Sequence, residues 1–176
     1  MIRGSLGINA TVIPRRPLRT FSTRPRYAPR MLDVSQGIGK HAVVVGCGRV
    51  GSAVALRLRD GGWDVAVIDE RAEAFHRLGD GFAGITVEGH ALDIATLLAA
   101  GIERAEAVVV ATNGDNTNVV CAQIAQKRFG VSCVVVRILD PARAALYAEL
   151  GMRTVCPTSG AIDVLSETVL SHTAAI

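Results

Sequence analysis

Aromatic residues are scarce in this chain of 176: one Trp, two Tyr and four Phe make up 4% of it. Stacked rings therefore cannot build its core. The 49% hydrophobic content comes instead from Val, Ala, Leu and Ile, a composition suited to a sheet buried on both faces by Ala-rich helices. The length allows one domain with a real core. Long apolar runs are also missing. None approaches the roughly 18–20 residues of a membrane-spanning helix, so no direct span is expected and any membrane role comes through a partner. The cysteines Cys47, Cys121, Cys133 and Cys156 form no C-x-x-C pair, and with the four histidines they show no metal-ligand spacing. Packed thiols in a reducing compartment, and no metal site, are the expectation.

Acidic residues are nearly missing from one end. Residues 1–38 hold seven arginines (Arg3, Arg15, Arg16, Arg19, Arg24, Arg26, Arg30) against the single acid Asp33, which leaves twelve basic and fifteen acidic side chains in the remainder. A mildly acidic body without a basic stripe argues against nucleic acid as a partner. The leader, with Pro14, Pro17, Pro25 and Pro29 among Ser, Thr and Arg, is expected to be disordered. It reads as a basic arm, or as an upstream extension ahead of a start at Met31. Its composition also fits an organellar transit peptide, or an electrostatic contact with a membrane surface or an acidic partner.

The densest signal is Gly46-Cys47-Gly48-Arg49-Val50-Gly51, which follows the apolar run Ala42-Val43-Val44-Val45. It precedes a helix-like segment and is answered by Asp69 at the end of Val65-Ala66-Val67-Ile68-Asp69. A β-branched strand, a glycine turn and a helix place backbone N–H groups at a helix N-terminus, where a pyrophosphate is held. In this reading Gly46 permits the turn, Gly48 lets phosphates approach the backbone, and Gly51 lets the helix pack on the sheet. Arg49 either reaches a phosphate or is a solvated residue of the first turn. Cys47 and Val50 complete the loop. Asp69 is placed to accept ribose hydroxyls and would repel a 2′-phosphate, which favours NAD, ATP or ADP over NADP. Arg71 lies near enough to soften that preference, and Glu70 is as readily a solvated loop acid.

From His41 onward strand and helix signals alternate with short connections, which predicts a doubly wound parallel sheet of the α/β class. Strands are expected near 41–46, 64–69, 83–88, 107–111, 133–138 and 152–156. Helices are expected near 49–60, 72–79, 115–129, after the N-cap Asp93 and after Asp140-Pro141. Right-handed crossovers make this a six-stranded Rossmann fold of order 3-2-1-4-5-6 over residues 39–158, with a C-terminal helix in 159–176. The crevice then opens at the ends of strands one and four. Thr112 and Asn113 fall there, either as ligand contacts or as local caps, and Asn118 follows on the next helix. His90 and Ala91 follow strand three, where an adenine would lie; His90 would stack on or bond the base, or else stand exposed in the loop.

Beyond the fold, Gly89-His90-Ala91-Leu92-Asp93, Ala100-Gly101-Ile102-Glu103, Thr112-Asn113-Gly114-Asp115-Asn116-Thr117-Asn118 and Arg137-Ile138-Leu139-Asp140-Pro141 carry a resemblance. They are similar to motifs of the N-terminal domain of RCK/TrkA-type regulators, the nucleotide-binding subunits of Trk and Ktr potassium uptake systems, over about residues 40–160. The resemblance implies a binding module and not an enzyme. It implies bound NAD(H) or ATP/ADP, and a homodimer or larger ring docked on a membrane potassium-translocating subunit at the cytoplasmic face. The family's adenine-loop acid is replaced here by His90. Ile162, Leu165, Val169 and Leu170 would line one side of the last helix, resembling the helix that family dimers exchange or pack together. The alternative class is a small NAD-dependent oxidoreductase or another Rossmann enzyme such as a methyltransferase. A short-chain reductase needs a tyrosine–lysine pair, and Tyr147 is followed four residues on by Gly151. The stretch after strand six also leaves little room for a substrate domain or an extra strand. No catalytic residue is assigned.

Overall fold

The computed structural model of the chain describes residues 40–173, so the expectations for the leader of residues 1–38 lie outside the described residues. Strands β1 (His41–Val45), β2 (Asp64–Asp69), β3 (Ile85–Glu88), β4 (Ala107–Val110), β5 (Cys133–Arg137) and β6 (Arg153–Val155) form one parallel sheet in the order β3-β2-β1-β4-β5-β6. The predicted order 3-2-1-4-5-6 is the one found. β1 is buried along its whole length. Its register pairs Val45 with Ile68 on one side and Val110 on the other.

A strand with both faces covered has no need of polar alternation, and the core shows why. Val43 and Val45 join Ile68, Val108 and Val110 in one cluster, while Val44 joins Val65 and Val67 in the other. The second cluster also takes in Ala55, from α1 (Arg49–Asp60), and Leu78. The first collects Leu97 from α2 (Ile94–Ala99), Val119 and Ala122 from α3 (Asp115–Lys127) and Ala144 from α4 (Pro141–Glu149). Right-handed crossovers put the connections on opposite faces once the strand order reverses at β1 and β4. Burial pushes the Cys121 thiol, packed inside the first cluster, up to about 12.

Asp93 caps α2 by accepting Ala95 N–H at 3.0 Å, and Asp140 caps α4 by accepting Arg143 N–H at 2.9 Å ahead of Pro141. The helix expected over 72–79 is instead a 3-10 segment, Ala72–Leu78, opened at Arg71 without a side-chain cap. An uncapped segment of that length has too few turns to establish an α ladder. The last helix, α5 (Pro157–Thr173), leaves Ile162, Val164, Leu165, Val169 and Leu170 exposed. Among the described residues no helix is long and apolar enough to cross a membrane.

At the end of the sheet remote from the glycine turn, buried His41 sets Nδ1 2.9 Å from Asp64 Oδ2 and Nε2 2.8 Å from the Ala100 carbonyl oxygen. Arg104 donates to the same Asp64 oxygen at 3.0 Å. The Arg104 guanidinium, and then His41, hold the Asp64 carboxyl below the usual carboxylate range. A lowered folded value means that the carboxylate's contribution is full above about pH 4 and is lost as acidification passes the folded value. Urea midpoints for the unaltered chain and Asp64→Asn should therefore differ at neutral pH and converge as pH falls. A difference that persisted to the acid end would show that Asp64 does not stabilise through its charge.

Candidate functional site

The three glycines of the turn have three different explanations. Gly46 adopts φ +96°, and a Cβ there would lie 2.9 Å from the backbone of Ala111 and Thr112. At Gly51 a Cβ would fall 1.8 Å from the Gly46 carbonyl oxygen, so α1 can start where it does only on a glycine. Gly48 differs from both. Its φ is −77°, and a Cβ would meet nothing within 4 Å. Nothing inside the fold requires a glycine at that position.

Asp69 ends β2 with both carboxylate oxygens engaged by backbone. Cys47 N–H donates to Oδ2 at 2.7 Å and Arg71 N–H to Oδ1 at 3.1 Å. Gly46 N–H donates to the Ile68 carbonyl at 2.7 Å. Two of the amides read from sequence as free are thus spent in shaping the turn. Those that remain belong to the first turn of α1, which has no side-chain cap and no acid of its own.

A cavity of about 480 Å³ lies over this turn, within the range of small-molecule sites. Gly46, Gly48, Arg49 and Val50 line it from the turn, Asp69, Glu70 and Arg71 from the end of β2 and the residues after it, and Ala91, Thr112 and Asn113 from the loops after β3 and β4. The structure thus brings together ten of the thirteen residues singled out by sequence. The other three stand behind or beside the wall. Gly51 is packed under the turn. Cys47 is fully buried, its thiol donating to the Ala74 carbonyl at 3.3 Å; burial, and then Asp69, push that thiol up and make it a poor nucleophile. His90 sets Nε2 3.3 Å from Glu70, and its Nδ1 accepts Leu92 N–H at 3.1 Å.

Sequence reasoning missed Gly89, Thr117, Arg137 and Pro157, which also line the cavity. Arg137 had a signal: it is the charged end of an otherwise apolar strand. Asn118, fully buried, holds the wall together. Its Oδ1 accepts Thr112 N–H at 3.0 Å and the Thr112 hydroxyl at 2.6 Å, while Nδ2 donates to the carbonyls of Thr112 at 3.0 Å and Arg137 at 2.9 Å. Asp115 fastens the same two loops by accepting N–H from Leu139 at 2.8 Å and Asp140 at 3.1 Å. Among the described residues no group of three or more His, Cys, Asp or Glu side chains could hold a metal ion.

Residues 42–158 match the family described as "TrkA-N domain". The chain is 45% identical over 130 residues to "Trk system potassium uptake protein TrkA" of Streptomyces coelicolor, covering 74% of this chain and 58% of that protein. It thus spans well under two thirds of that relative. Among solved structures it superposes on "Shewanella denitrificans Kef CTD in AMP bound form" with a TM-score of 0.66 and 21% identity, over 76% of this chain and 82% of that one. It matches "GsuK channel bound to NAD" with a TM-score of 0.64 and 24% identity, over 77% and 24% of the two chains. At such identities the two structures speak for the fold alone.

Removing the Asn118 amide leaves buried donors and acceptors unpaired, so Asn118→Ala should lower unfolding stability by about 1–3 kcal/mol. Urea denaturation measures this. A change below about 0.5 kcal/mol, the range of ordinary surface substitutions, would mean that the network is not needed.

Proposed function

We propose, for a chain that belongs to the TrkA-N domain family, that residues 39–158 are the nucleotide-binding regulatory module of a potassium uptake system. The module binds NAD(H) or ATP/ADP in the cavity and gates a membrane potassium-translocating partner from the cytoplasmic face. Residues 159–176 supply a helix for a homodimer or larger ring, and residues 1–38 a basic leader or arm. The resemblance in the motifs and the name of the Streptomyces relative support the potassium role. Solved neighbours with AMP and NAD support the ligand class. The exposed apolar side chains along α5 support self-association.

The observation that carries the reading is Gly48. Gly46 and Gly51 are explained by backbone that lies against them, but Gly48 faces open cavity with an ordinary φ. Its missing side chain makes room for something that approaches the main chain at the start of α1, where first-turn amides and the helix dipole favour an anion. Asp69 keeps lone pairs beyond those engaged by Cys47 and Arg71, and these accept ribose hydroxyls. The cavity wall, among the described residues, contains no His, Cys, Lys or Tyr. Its two carboxylates face backbone amides and His90. That arrangement supports a site for holding a ligand.

Gly48→Ala should cost no more than about 1 kcal/mol of stability, since alanine is only a poorer N-cap. Calorimetric titration with ADP and NAD should nevertheless show binding weakened roughly tenfold or more, through lost phosphate contacts of about 1.5–3 kcal/mol. Unchanged affinity would remove the glycine turn from the site. Asp69→Ala should weaken NAD by about 1–3 kcal/mol and narrow the preference for NAD over NADP, because the lost carboxylate both binds the ribose and repels a 2′-phosphate. An undiminished preference would take Asp69 out of ribose recognition. Oxidation of NADH with a small carbonyl compound would overturn the binding-module reading in favour of a reductase.

A further inference from the structure

At the far wall of the cavity, Arg137 ends β5 with its guanidinium only partly satisfied. Nη2 donates to the Thr112 carbonyl at 2.6 Å, while the Nε–H is buried with no acceptor. Among the described residues Nε is the one buried side-chain nitrogen or oxygen without a partner. A donor stranded in this way costs the fold stability, and the side chain's place at the cavity wall is therefore not explained by its own hydrogen bonds. No carboxylate lies within salt-bridge distance of Arg137: the ion pairs among the described residues are His41–Asp64, His90–Glu70 and Arg104–Asp64. Its backbone is fixed as well, because its own carbonyl accepts from Asn118. Thr117 and Pro157 line the same cavity.

We infer that Arg137 reads the part of the ligand that lies beyond its diphosphate, donating to an oxygen there. The inference rests on the nucleotide reading above and adds a specificity-determining residue to it. Sheet order sets the scale. Asp69 ends β2 and Arg137 ends β5, with β1 and β4 between them. Three strand spacings of about 4.8 Å put the two roughly 14 Å apart. A ribose on Asp69 places the α- and β-phosphates over the glycine turn on β1, one spacing along. AMP and ADP stop there. Only a ligand that continues, through a third phosphate or through the second half of a dinucleotide, crosses β4 to the guanidinium. The acceptor is then a γ-phosphate oxygen or an oxygen of the nicotinamide half. Either meets, at the cavity wall, a guanidinium that no carboxylate neutralises, and a charge-assisted bond there is strong. The cavity in this way separates ligands by length and terminal group, while Asp69 and the glycine turn hold what they share.

The test is calorimetric titration of the full chain and of Arg137→Gln and Arg137→Lys with AMP, ADP, ATP and NAD. AMP and ADP should bind all three proteins within about twofold, and ATP, NAD or both should weaken roughly tenfold or more with Gln. Lys keeps the charge without the planar guanidinium fork, so it should recover ATP better than NAD. A selective loss of ATP relative to ADP assigns the contact to the γ-phosphate, and a selective loss of NAD relative to ADP assigns it to the nicotinamide half. Equal weakening of all four ligands would overturn the inference and reduce Arg137 to a prop for the Thr112 carbonyl. So would no weakening of any. ADP failing to bind the unaltered chain would sink the nucleotide reading itself, and this inference with it.

Discussion

The bond from the Cys47 N–H to Asp69, 2.7 Å long, is the one on which the rest of the cavity depends. It ties the turn after β1 to the end of β2, and the Gly46 N–H on the Ile68 carbonyl ties it a second time. With the turn fixed, Gly46 takes its positive φ and Gly51 slides under the Gly46 carbonyl. The axis of α1 is then aimed at the cavity. A helix N-terminus gains from nearby negative charge, yet α1 has no acid in its first turn. Asp69 supplies that charge from a neighbouring strand. One carboxylate therefore does two jobs at the cavity wall: it closes the turn and complements the helix dipole.

The cavity exists because the sheet changes direction. Connections leaving β1 and β2 pack α1 and the 3-10 segment on one face, and those from β3 onward pack α2, α3 and α4 on the other. Between β1 and β4 the chain runs off to opposite faces, and among the described residues no connection covers the strand ends. The floor of the gap is tight: the backbone of Ala111 and Thr112 comes so close to Gly46 that even a methyl group would not fit. Crowding below and absence of cover above produce a shaped hollow at the point where open α/β sheets bind their ligands.

Much of this was legible in the sequence because its determinants are local. A β-branched run, three spaced glycines and an acid at the end of the next strand report on their own neighbourhoods, and alternating strand and helix signals with handed crossovers leave few sheet orders. The determinants that escaped are tertiary. Asn118 looks like an ordinary polar residue on the first turn of a helix until the fold brings the carbonyl of Arg137, nineteen positions away, within 2.9 Å of it. His41 reads as a strand residue until the Ala100 carbonyl, fifty-nine positions away, meets its ring. His90 shows the reverse. Its position after β3 was read correctly, but the loop lets Leu92 N–H and Glu70 engage the ring, and composition carries no signal for a side chain's direction. The 3-10 segment, too, has helix-forming residues but lacks the cap and the length that would make it α.

A bound molecule can act beyond its cavity only where two arrangements of the protein hold it unequally. Most of the wall cannot supply that difference, because β1, β2 and β4 are locked in the sheet and buried on both faces. The wall residue that belongs to α5 is Pro157, the first of a helix whose apolar side chains stand exposed along its length. It lines the cavity together with Arg137 and Thr117. The glycine turn lies wholly among the strands locked in the sheet. A ligand that reaches β5 also meets the start of the helix least committed to the core. Pro157 is the point at which the cavity wall and α5 are one continuous stretch of chain, and α5 keeps its apolar side chains outside the core.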